Sequence, residues 1–573
     1  MPTPRLTALL AGCAAVLIAA AGCVPGRPPR ASAPTGPASA VPPARPSTAA
    51  DPAARARAIV GALGDEDLVG QVLMPYAYGS SATDVSPASA AGNRKLGGVD
   101  TPAEIVAKFR LGGLILVGWS ADDPTGGTNP TTNVDSAAQV RDLTGGLQAA
   151  AGKLPAKVPL LIGTDQEYGV VTRVQKDVTP LPSAMSFGAA GSPALTEAAW
   201  RAAGTELAAL GITVDFAPVA DVLGAAGSGV IGSRSYGSDP AQVGAQVAAA
   251  VRGLQAGGVA ATLKHFPGHG HTTADSHTNL PVLAQTRSSL AAGDLPPFTA
   301  GMSAGAALVM SGHLDVKAVD PGMPATFSRK VLTDLLRGEL HYQGVVVTDA
   351  LNMAPAQRWP AGEAAVRALA AGNDLLLMPP DLPAARDGLL AGLRSGALPR
   401  ARLVEAVTRI VTLKLRLAAN PQPELSTVAS AAHASAASAV AAAAVTVLRG
   451  SCSGPLVRGS VTVTSSAGRD RQKQWLTAAL KAAGVAVVPS GGAVVHLVGY
   501  GDGASDLRSG AAVTVAMDTP YVLRSMRSGA LLATYSSTRA AMTALAAVLA
   551  GKASAPGRSP VAVSGLPRSA CAR

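Results

Sequence analysis

Aromatic side chains are scarce in this chain, which has six Phe, eight Tyr and four Trp among 573 residues. Proteins that hold single-stranded nucleic acid commonly stack its bases on aromatic rings, so this scarcity argues against that class of partner. The formal net charge of +11 does not reverse the conclusion. Residues 1–58 contain six Arg and one Asp, so five of the eleven net positive charges lie outside the part that we expect to fold. We therefore expect no nucleic-acid partner.

Cysteine is also rare, and its four positions divide into two pairs. Cys13 and Cys23 lie in the segment MPTPRLTALLAGCAAVLIAAAGC, whose single Arg and apolar run are typical of a secretory signal peptide over residues 1–23. Cys452 and Cys571 are left for the mature fold. Because exported proteins meet an oxidising environment, we predict a disulfide between these two.

The signal peptide also carries a candidate lipidation site. Cys23 follows Ala-Ala-Gly, which resembles the lipobox of bacterial lipoproteins, and we predict that it is the lipidated residue. The run LAGC ending at Cys13 fits a lipobox better by letters but leaves a very short apolar region, and a plain cleaved signal peptide is a further alternative. Lipidation would anchor the exported protein to the outer face of the cell membrane without spanning it. Residues 24–57, rich in Pro and Ala, would form a disordered stalk.

Eight short apolar runs recur between helix-like stretches in residues 58–418. Continuous Val, Ile and Leu runs of this length are typical of parallel strands that are buried on both faces. Eight such units predict an α/β fold, a (β/α)8 barrel of the TIM type, with a doubly wound open sheet as the competing architecture. The runs are QVLMP (71–75), GLILVG (113–118), LLIGTD (160–165), VDFAPV (214–219), ATLKHF (261–266), LVMSGH (308–313), VVVTD (345–349) and DLLLMP (374–379).

A second region follows at residues 419–573. Its first part, STVASAAHASAASAVAAAAVTVLRG, is Ala-rich and mostly compatible with a linker helix. Strand-like runs then alternate with helices, which predicts a smaller α/β sandwich domain. These runs are SVTVTSS (460–466), GVAVVPS (484–490), AVVHLVGY (493–500), AVTVAMD (512–518) and ALLATYS (530–536). The turn GYGDG (499–503) lacks the full dinucleotide-binding fingerprint, so it does not predict a nucleotide site.

Polar residues stand at the C-terminal ends of four predicted barrel strands. They are Asp165, Lys264, His265, His313 and Asp349. In a (β/α)8 barrel these ends meet on one face, where the active sites of that fold are built. An open sheet would not gather all of them into one pocket. The distribution therefore favours the barrel and predicts a site at its carboxyl end.

Several motifs, in their order along the chain, closely resemble glycoside hydrolase family 3. They are TDQE, DFAPVADV, GSRSYG, KHFPGHG with DSH, MSGHLDV, PATFS and VVTDALNM, and they span roughly residues 58–418. The KHFPGHG and DSH element resembles the β-N-acetylglucosaminidase branch and separates it from the β-glucosidases of the family. DTPYVL and ATYSSTRAAMTALAAVLAGK resemble, more loosely, the family's second domain, an α/β sandwich. The resemblance implies a retaining exo-β-N-acetylglucosaminidase acting on peptidoglycan-type fragments.

The same resemblance assigns the catalytic residues. Glycoside cleavage normally uses two carboxyl groups, and Asp349 in VVTDALNM matches the family's nucleophile. A helix N-cap before LNMAPA is the structural alternative for Asp349. In the resembling branch the acid/base is a histidine that is oriented by an aspartate two residues earlier, which here are His277 and Asp275. Imidazole titrates near neutrality, so it can donate a proton to the leaving oxygen and later remove one from the acceptor.

A set of sugar-binding residues is implied in the same way. They are Asp165, Arg173, Arg234, Lys264 and His265. For Arg234 a loop salt bridge, possible with Asp239, is the alternative. The chain departs from the family at Tyr168-Gly169, where two glycines are usual, and a tyrosine near the mouth of the pocket would narrow or extend the site. Asp221 and His313, at strand ends, are expected to support the pocket.

Four of the eight histidines of the chain lie in KHFPGHGHTTADSH. His271 stands where the resembling branch more often has Asp, which leaves its role open. His269, His271 and Asp275 could be imagined around a zinc ion, but the glycines of the loop leave that geometry unconstrained. We therefore predict no metal and no organic cofactor.

Two other functions are open at this point. One is a β-N-acetylglucosaminide phosphorylase, in which phosphate replaces water as the acceptor. The other is a catalytically silent glycan-binding lipoprotein, against which the intact Asp275, His277 and Asp349 argue. We predict a hydrolase whose substrate is a GlcNAc-terminated glycan or muropeptide, and whose only other partner is the membrane that holds its lipid anchor.

Overall fold

A computed structural model of the protein describes residues 51–120, 122–225, 229–272, 274–527 and 529–571. The predicted signal peptide with Cys23, and residues 24–50 of the predicted stalk, lie outside the described residues. The first helix, Pro52–Gly61, follows Asp51, whose carboxylate accepts a hydrogen bond from the Ala53 amide at 3.2 Å. This helix buries Ala56 and Val60, which are four residues apart on one face, as it packs against a later helix. Within the described residues, regular structure first appears at Pro52, so residues 52–57 of the predicted stalk are helical.

Eight parallel strands form the barrel, one within each of the eight predicted runs or overlapping it. They are β1 (Leu73–Met74), β2 (Gly113–Ile115), β3 (Leu161–Thr164), β4 (Val214–Asp215), β5 (Ala260–Phe266), β6 (Leu308–Ser311), β7 (Val345–Thr348) and β8 (Leu376–Leu377). Strands β2 to β7 pair in chain order as one sheet, and β1 pairs with β8. A bridge between Val347 and Leu375 joins β7 to β8, and the Ile115 amide donates to the Pro75 carbonyl at 3.0 Å between β2 and the end of β1. Hydrogen bonds therefore run round the whole ring, which excludes the open sheet.

The strands are buried on both faces. All residues of β3, β5, β6 and β7 are buried, which explains why the sequence shows continuous apolar runs rather than alternation. Several helices begin with an N-cap Ser, Thr or Asp followed at once by Pro, as at Ser86-Pro87, Thr101-Pro102 and Asp239-Pro240. The helices of this part are Asp65–Gln71, Pro87–Gly97, Pro102–Phe109, Ala137–Ala151, Ala184–Ala190, Pro193–Ala209, Pro240–Ala256, Arg287–Gly293, Leu295–Ser303, the π-helix Lys330–Glu339, Ala361–Ala371, Leu382–Ser395 and Arg400–Leu417.

Two short ribbons follow the carboxyl ends of the barrel strands. Gln166–Tyr168, directly after β3, pairs antiparallel with Val171–Thr172. Val282–Leu283, after β5, pairs in parallel with Asp315–Val316, after β6. These ribbons shape the loops at the end of the barrel where the candidate site lies.

A second sheet of five strands lies in the C-terminal part of the chain. Its strands are β9 (Thr446–Arg449), β10 (Val461–Ser465), β11 (Ala493–Val498), β12 (Val513–Ala516) and β13 (Ala530–Ala533), and its helices are Asp470–Ala482 and Arg539–Leu549. The spatial order is β9, β13, β12, β11, β10, with β9 antiparallel to β13 and the other pairs parallel. The two helices and the sheet share a core of their own, so the predicted α/β domain is present.

The second sheet differs from the sequence prediction at two places. Residues 484–490 were predicted as a strand, but only Val487 bridges to Val461, and Pro489 has no amide hydrogen to continue a ladder. Conversely, Thr446–Arg449 forms β9 at the end of the Ala-rich segment. Its Val447 is buried and pairs with Leu532 of β13, so tertiary pairing ends the helical preference of the preceding alanines.

The linker helix Ala431–Ala444 connects the two parts of the protein. It packs against Ala184–Ala190 and Pro193–Ala209 on the barrel and against Arg539–Leu549 in the second domain. Cys452 and Cys571, near the two ends of the second domain, are joined by a disulfide with their Cα atoms 5.3 Å apart.

Candidate active site

A cavity at the carboxyl end of the barrel is lined by most of the residues singled out from the sequence. They are Asp165, Arg173, Arg234, Lys264, His265, His277 and Asp349, and Glu167 joins them. Asp275 lies behind His277 and contacts its ring. The barrel therefore brings together residues from the ends of β3, β5 and β7 and from the loops that follow β3, β4 and β5.

Asp349 follows β7 directly and is held by backbone hydrogen bonds. Its amide donates to the Ser311 carbonyl at 3.0 Å, and its Oδ1 accepts from the Ala350 amide at 2.8 Å. The first helical turn after it is the 3-10 helix Ala354–Arg358, so Asp349 is not the cap of a helix. Burial opposes ionisation of Asp349, but the neighbouring imidazoles, led by that of His313, and the Ala350 amide lower its pKa below the ordinary value. The carboxylate is thus ionised at neutral pH.

His277 and Asp275 form a close pair. The Nδ1 atom of His277 is 2.6 Å from Oδ1 of Asp275, and the same oxygen accepts from the His277 amide at 2.9 Å. The hydrogen bond from His277 lowers the pKa of Asp275, more than burial raises it. Because Nδ1 is committed to Asp275, Nε2 is the nitrogen available for proton exchange with a bound molecule.

A cluster of opposite charges lines the same cavity as Asp349. Glu167 accepts two hydrogen bonds from Arg234, at 2.7 and 2.8 Å, and lies 2.6 Å from the ammonium of Lys264. Lys264 also donates to Asp165 at 2.7 Å. Burial alone would raise the pKa of Glu167, but Arg234 and Lys264 hold it well below the usual range. Glu167 is therefore ionised.

Glu167, the last residue of the TDQE motif, is a residue of the cavity that the sequence interpretation missed. The available signal was its position two residues after Asp165, because alternate residues of a strand-like segment point the same way. The alternative of a salt bridge between Arg234 and Asp239 is wrong. Asp239 caps the helix Pro240–Ala256 by accepting from the Ala241 and Gln242 amides, and the partner of Arg234 is Glu167.

Arg173 lies in the same cavity but does not pair with Asp165. Its guanidinium forms an ion pair with Asp123 and donates to the Thr125 hydroxyl at 2.6 Å. The Nε atom of Arg173 is buried and has no hydrogen-bond partner among the described residues. Asp123 and Thr125, in the loop after β2, are residues that the sequence interpretation missed. No local pattern marks them, because they act through a distant arginine.

His265 and His269 are both held by Asp221. One oxygen of Asp221 accepts from the His265 amide at 3.1 Å and from the His269 amide at 2.8 Å, while the other is 2.8 Å from Nδ1 of His265. Burial lowers the pKa of His269 to about 4, so its ring is neutral. Asp221 therefore supports the loop that carries KHFPGHG.

His313 and His271 lie outside the Asp275–His277 pair. Nε2 of His313 is 3.0 Å from the Ala350 carbonyl oxygen, which can only accept, so this nitrogen carries the proton and supports the segment after Asp349. Nδ1 of His271 is 2.8 Å from Asp294, and this hydrogen bond raises the pKa of His271. Within the described ranges, no three His, Cys, Asp or Glu side chains are placed to hold a metal ion.

Tyr168 does not stand at the mouth of the site. It is 3% exposed and packs edge-on against Trp200, with ring centroids 5.8 Å apart. The ribbon Gln166–Tyr168 directs Glu167 to the cavity, so its neighbour Tyr168 turns into the core. The expectation that this tyrosine narrows or extends the site is wrong.

Residues 84–413 match the family described as "Glycosyl hydrolase family 3 N terminal domain". Beta-hexosaminidase A of Pseudoalteromonas piscicida is 34% identical over 404 residues, which are 65% of this chain and 64% of that protein. Beta-hexosaminidase LpqI of Mycobacterium tuberculosis is 32% identical over 424 residues, which are 72% of this chain and 98% of that protein. A solved family 3 beta-N-acetylglucosaminidase from Paenibacillus sp. strain FPU-7 superposes with a TM-score of 0.75 and 32% identity, over 88% of this chain and 99% of that one.

Proposed function

Because the chain belongs to glycosyl hydrolase family 3, and to the β-hexosaminidases within it, we propose that it is a retaining exo-β-N-acetylglucosaminidase. The observation that carries the proposal is the meeting of Asp349 and the Asp275–His277 pair at one cavity. One is an ionised carboxylate, and the other is an imidazole oriented by a carboxylate. This combination suits a nucleophile and a proton donor on one glycosidic bond.

The first displacement forms a covalent intermediate. The carboxylate of Asp349 attacks C1 of the terminal GlcNAc while the bond from C1 to the leaving oxygen breaks. Nε2 of His277 gives its proton to that oxygen, and Asp275 stabilises the imidazolium before transfer. The products of this step are a glycosyl ester on Asp349 and a free aglycone.

The second displacement releases the sugar. Nε2 of His277, now neutral, removes a proton from water as the water oxygen attacks C1, and the ester bond to Asp349 breaks. Each displacement inverts the configuration at C1, so two of them return GlcNAc with the β configuration. No metal or organic cofactor takes part in either step.

The charged cluster serves to bind the sugar. We assign the hydroxyl contacts of the non-reducing GlcNAc to Asp165, Arg173, Arg234, Lys264 and His265. Arg173, Arg234, Lys264 and His265 are buried, which makes each hydrogen bond between them and a hydroxyl stronger than it would be in water. The unpartnered Nε of Arg173 supports its role, because a buried donor that lacks a protein acceptor is free for a ligand oxygen.

We further propose that the substrates are GlcNAc-terminated peptidoglycan fragments, met outside the cell membrane. The disulfide suits an exported protein, and the lipobox-like sequence before Cys23 supports a lipid anchor in the membrane. In a bacterial host, Cys23→Ala should move the protein from the membrane fraction to the soluble fraction, with Cys13→Ala as the matched control. A shift caused by Cys13→Ala instead would move the anchor to that residue.

Product analysis tests the reaction itself. A panel of aryl β-glycosides should show preference for the N-acetylglucosaminide, and proton NMR should show β-GlcNAc as the first product. The same assay in phosphate buffer tests the rival acceptor, because a neutral imidazole does not repel phosphate as a carboxylate would. We expect free GlcNAc to dominate. Dominant β-configured GlcNAc 1-phosphate would make the protein a phosphorylase, and no turnover of any glycoside would support the silent binding protein.

A further inference from the structure

The second domain contacts the loop after β2 through a buried arginine. Arg469, at the start of the helix Asp470–Ala482, lies beyond the carboxyl end of β10. Its Nη1 donates to both carboxylate oxygens of Asp122, at 2.8 and 3.0 Å. The Arg469 side chain is 10% exposed and that of Asp122 is 27% exposed, so this ion pair is largely shielded from water. Shielded charge-assisted pairs hold their geometry better than pairs on the open surface.

Residues of the GYGDG turn (499–503) contact this arginine. Nη2 of Arg469 donates to the Tyr500 carbonyl, and Asp502 lies 3.9 Å from its Nε. Asp502 also accepts from the Gly499 amide at 2.6 Å, which closes the turn. A Cβ at residue 499 would stand 2.6 Å from Nε of Arg469, so only glycine fits there without displacing the guanidinium. The turn therefore presents Arg469 to the barrel.

On the barrel side, the residue next to Asp122 pairs with an arginine that lines the cavity. Asp123 pairs with Arg173, and both of these side chains are 2% exposed. Asp123 also accepts from the Thr125 amide at 2.8 Å and hydroxyl at 2.7 Å. Successive residues thus face opposite ways, with Asp122 held by the second domain and Asp123 holding Arg173. Both contacts therefore fix the position of this loop.

A second contact of the same kind lies at the other arginine of the cavity. The hydroxyl of Ser233 donates to Asp518, which follows β12 in the second domain. Arg234 is the next residue and carries the two hydrogen bonds to Glu167. The second domain therefore contacts a residue close to each cavity arginine. It binds Ser233, which precedes Arg234, and it binds Asp122, which precedes the Asp123 that pairs with Arg173.

We propose that the second domain positions the sugar-binding arginines, and that Arg469 is a positioning residue acting through Asp122 and Asp123 on Arg173. The proposal rests on the proposed role of Arg173 in sugar binding. Loss of the Arg469–Asp122 pair frees the loop after β2 and lets Arg173 leave its place. The loss falls on binding of the sugar more than on chemistry at C1, because Asp349, Asp275 and His277 make none of these contacts.

The test is steady-state kinetics on an aryl β-N-acetylglucosaminide with four variants of the full chain. Arg469→Ala and Asp122→Asn should each raise KM about tenfold, the size typical of residues that orient a binding group, with a much smaller change in kcat. The KM of the double variant should be no higher than the higher KM of the two single variants, because both substitutions remove the same interaction. Arg471→Ala, an exposed arginine two residues away, is the matched control and should match wild type. Asp122→Asn leaves the second domain intact, so it tests the pair even if Arg469→Ala misfolds.

A further variant, Arg173→Ala, distinguishes failure of the proposed sugar contact from failure of the proposed positioning role. If Arg173→Ala leaves KM unchanged, the assigned sugar contact is wrong. If Arg173→Ala raises KM while Asp122→Asn and Arg469→Ala do not, the positioning role alone is overturned. A rise in KM for Arg469→Ala without one for Asp122→Asn overturns it as well, because the effect would not pass through the pair.

Discussion

Glu167 and Arg234 form a buried, two-pronged ion pair, with Nε to Oε2 at 2.7 Å and Nη2 to Oε1 at 2.8 Å. Both side chains are 3% exposed. Lys264 approaches the same carboxylate at 2.6 Å, so a single anion at the floor of the cavity orients two of the proposed sugar-binding cations. Removing one partner of such a pair leaves an uncompensated buried charge.

Glu167→Gln should therefore lower both stability and activity. The neutral amide keeps the size of the side chain but leaves Lys264 with Asp165, and leaves Arg234 with no ion-pair partner among the described residues. We expect a loss of about 3–5 kcal/mol in the free energy of unfolding, measured by chemical denaturation, together with a raised KM. Glu363→Gln, which breaks an exposed pair with Arg367, should change stability by about 0.5 kcal/mol or less. Equal effects of the two variants would contradict the role of Glu167.

Asp349→Asn should lose nearly all turnover while the protein stays folded. The amide cannot form the glycosyl ester, yet it can still accept the hydrogen bond from the Ala350 amide. The measurement is kcat on an aryl β-N-acetylglucosaminide together with the melting temperature. Asp381→Asn, at an exposed helix N-cap, is the matched control and should keep full activity. Near-wild-type turnover of Asp349→Asn would contradict the assignment of Asp349 as the nucleophile.

His277→Ala should slow substrates with poor leaving groups far more than activated aryl glycosides. Only a poor leaving group needs a proton as it departs, and general acid catalysis is typically worth about 10²–10⁴-fold. The measurement compares kcat/KM for a GlcNAc disaccharide and for a nitrophenyl glycoside. Asp275→Asn should show the same pattern in weaker form, because the ring stays but loses its carboxylate partner. Equal losses on both substrates would mean that His277 is not the acid.

His271→Asn should destabilise the fold more at mildly acidic pH than at alkaline pH. The hydrogen bond to Asp294 raises the pKa of His271, so the folded protein binds this proton more tightly than the unfolded chain. That contribution is complete below the unfolded value of about 6.5 and is lost as pH rises through the higher folded value. The difference in Tm from wild type should thus shrink between about pH 5.5 and about pH 9. His341→Asn, at an exposed loop position, is the control, and a difference that grows with pH would contradict the assignment.

Cys452→Ser should destabilise the second domain. The disulfide to Cys571 spans 119 residues, and closing a loop of that size is worth about 4–5 kcal/mol in the chain-entropy model. Wild-type protein kept in reductant should unfold at the same denaturant concentration as the variant. Peptide mapping after denaturation without reductant should find the two cysteines linked. Two free thiols at these positions would refute the bridge.

Much of the fold was determined by local sequence features. Continuous apolar runs predicted the eight barrel strands, because burial on both faces leaves no place for polar residues in them. The polar residues at the ends of those runs predicted the face that carries the cavity. The Asp275–His277 pair was implied by the family resemblance, and its two residues, which are two positions apart in the chain, are in hydrogen-bond contact in the structure. The misplaced strand at residues 484–490 had the right composition but lacked a neighbour to pair with along its length.

The tertiary structure alone decided which distant charges meet. Glu167 and Arg234 are 67 residues apart, Asp123 and Arg173 are 50 apart, and Asp122 and Arg469 are 347 apart. Short-range patterns in a sequence carry no information about such pairs, because a buried ion pair depends on which loops the barrel and the second domain bring together. For the same reason, only the folded protein shows that Tyr168 is buried against Trp200. It alone also shows that the GYGDG turn accepts a hydrogen bond from Arg469.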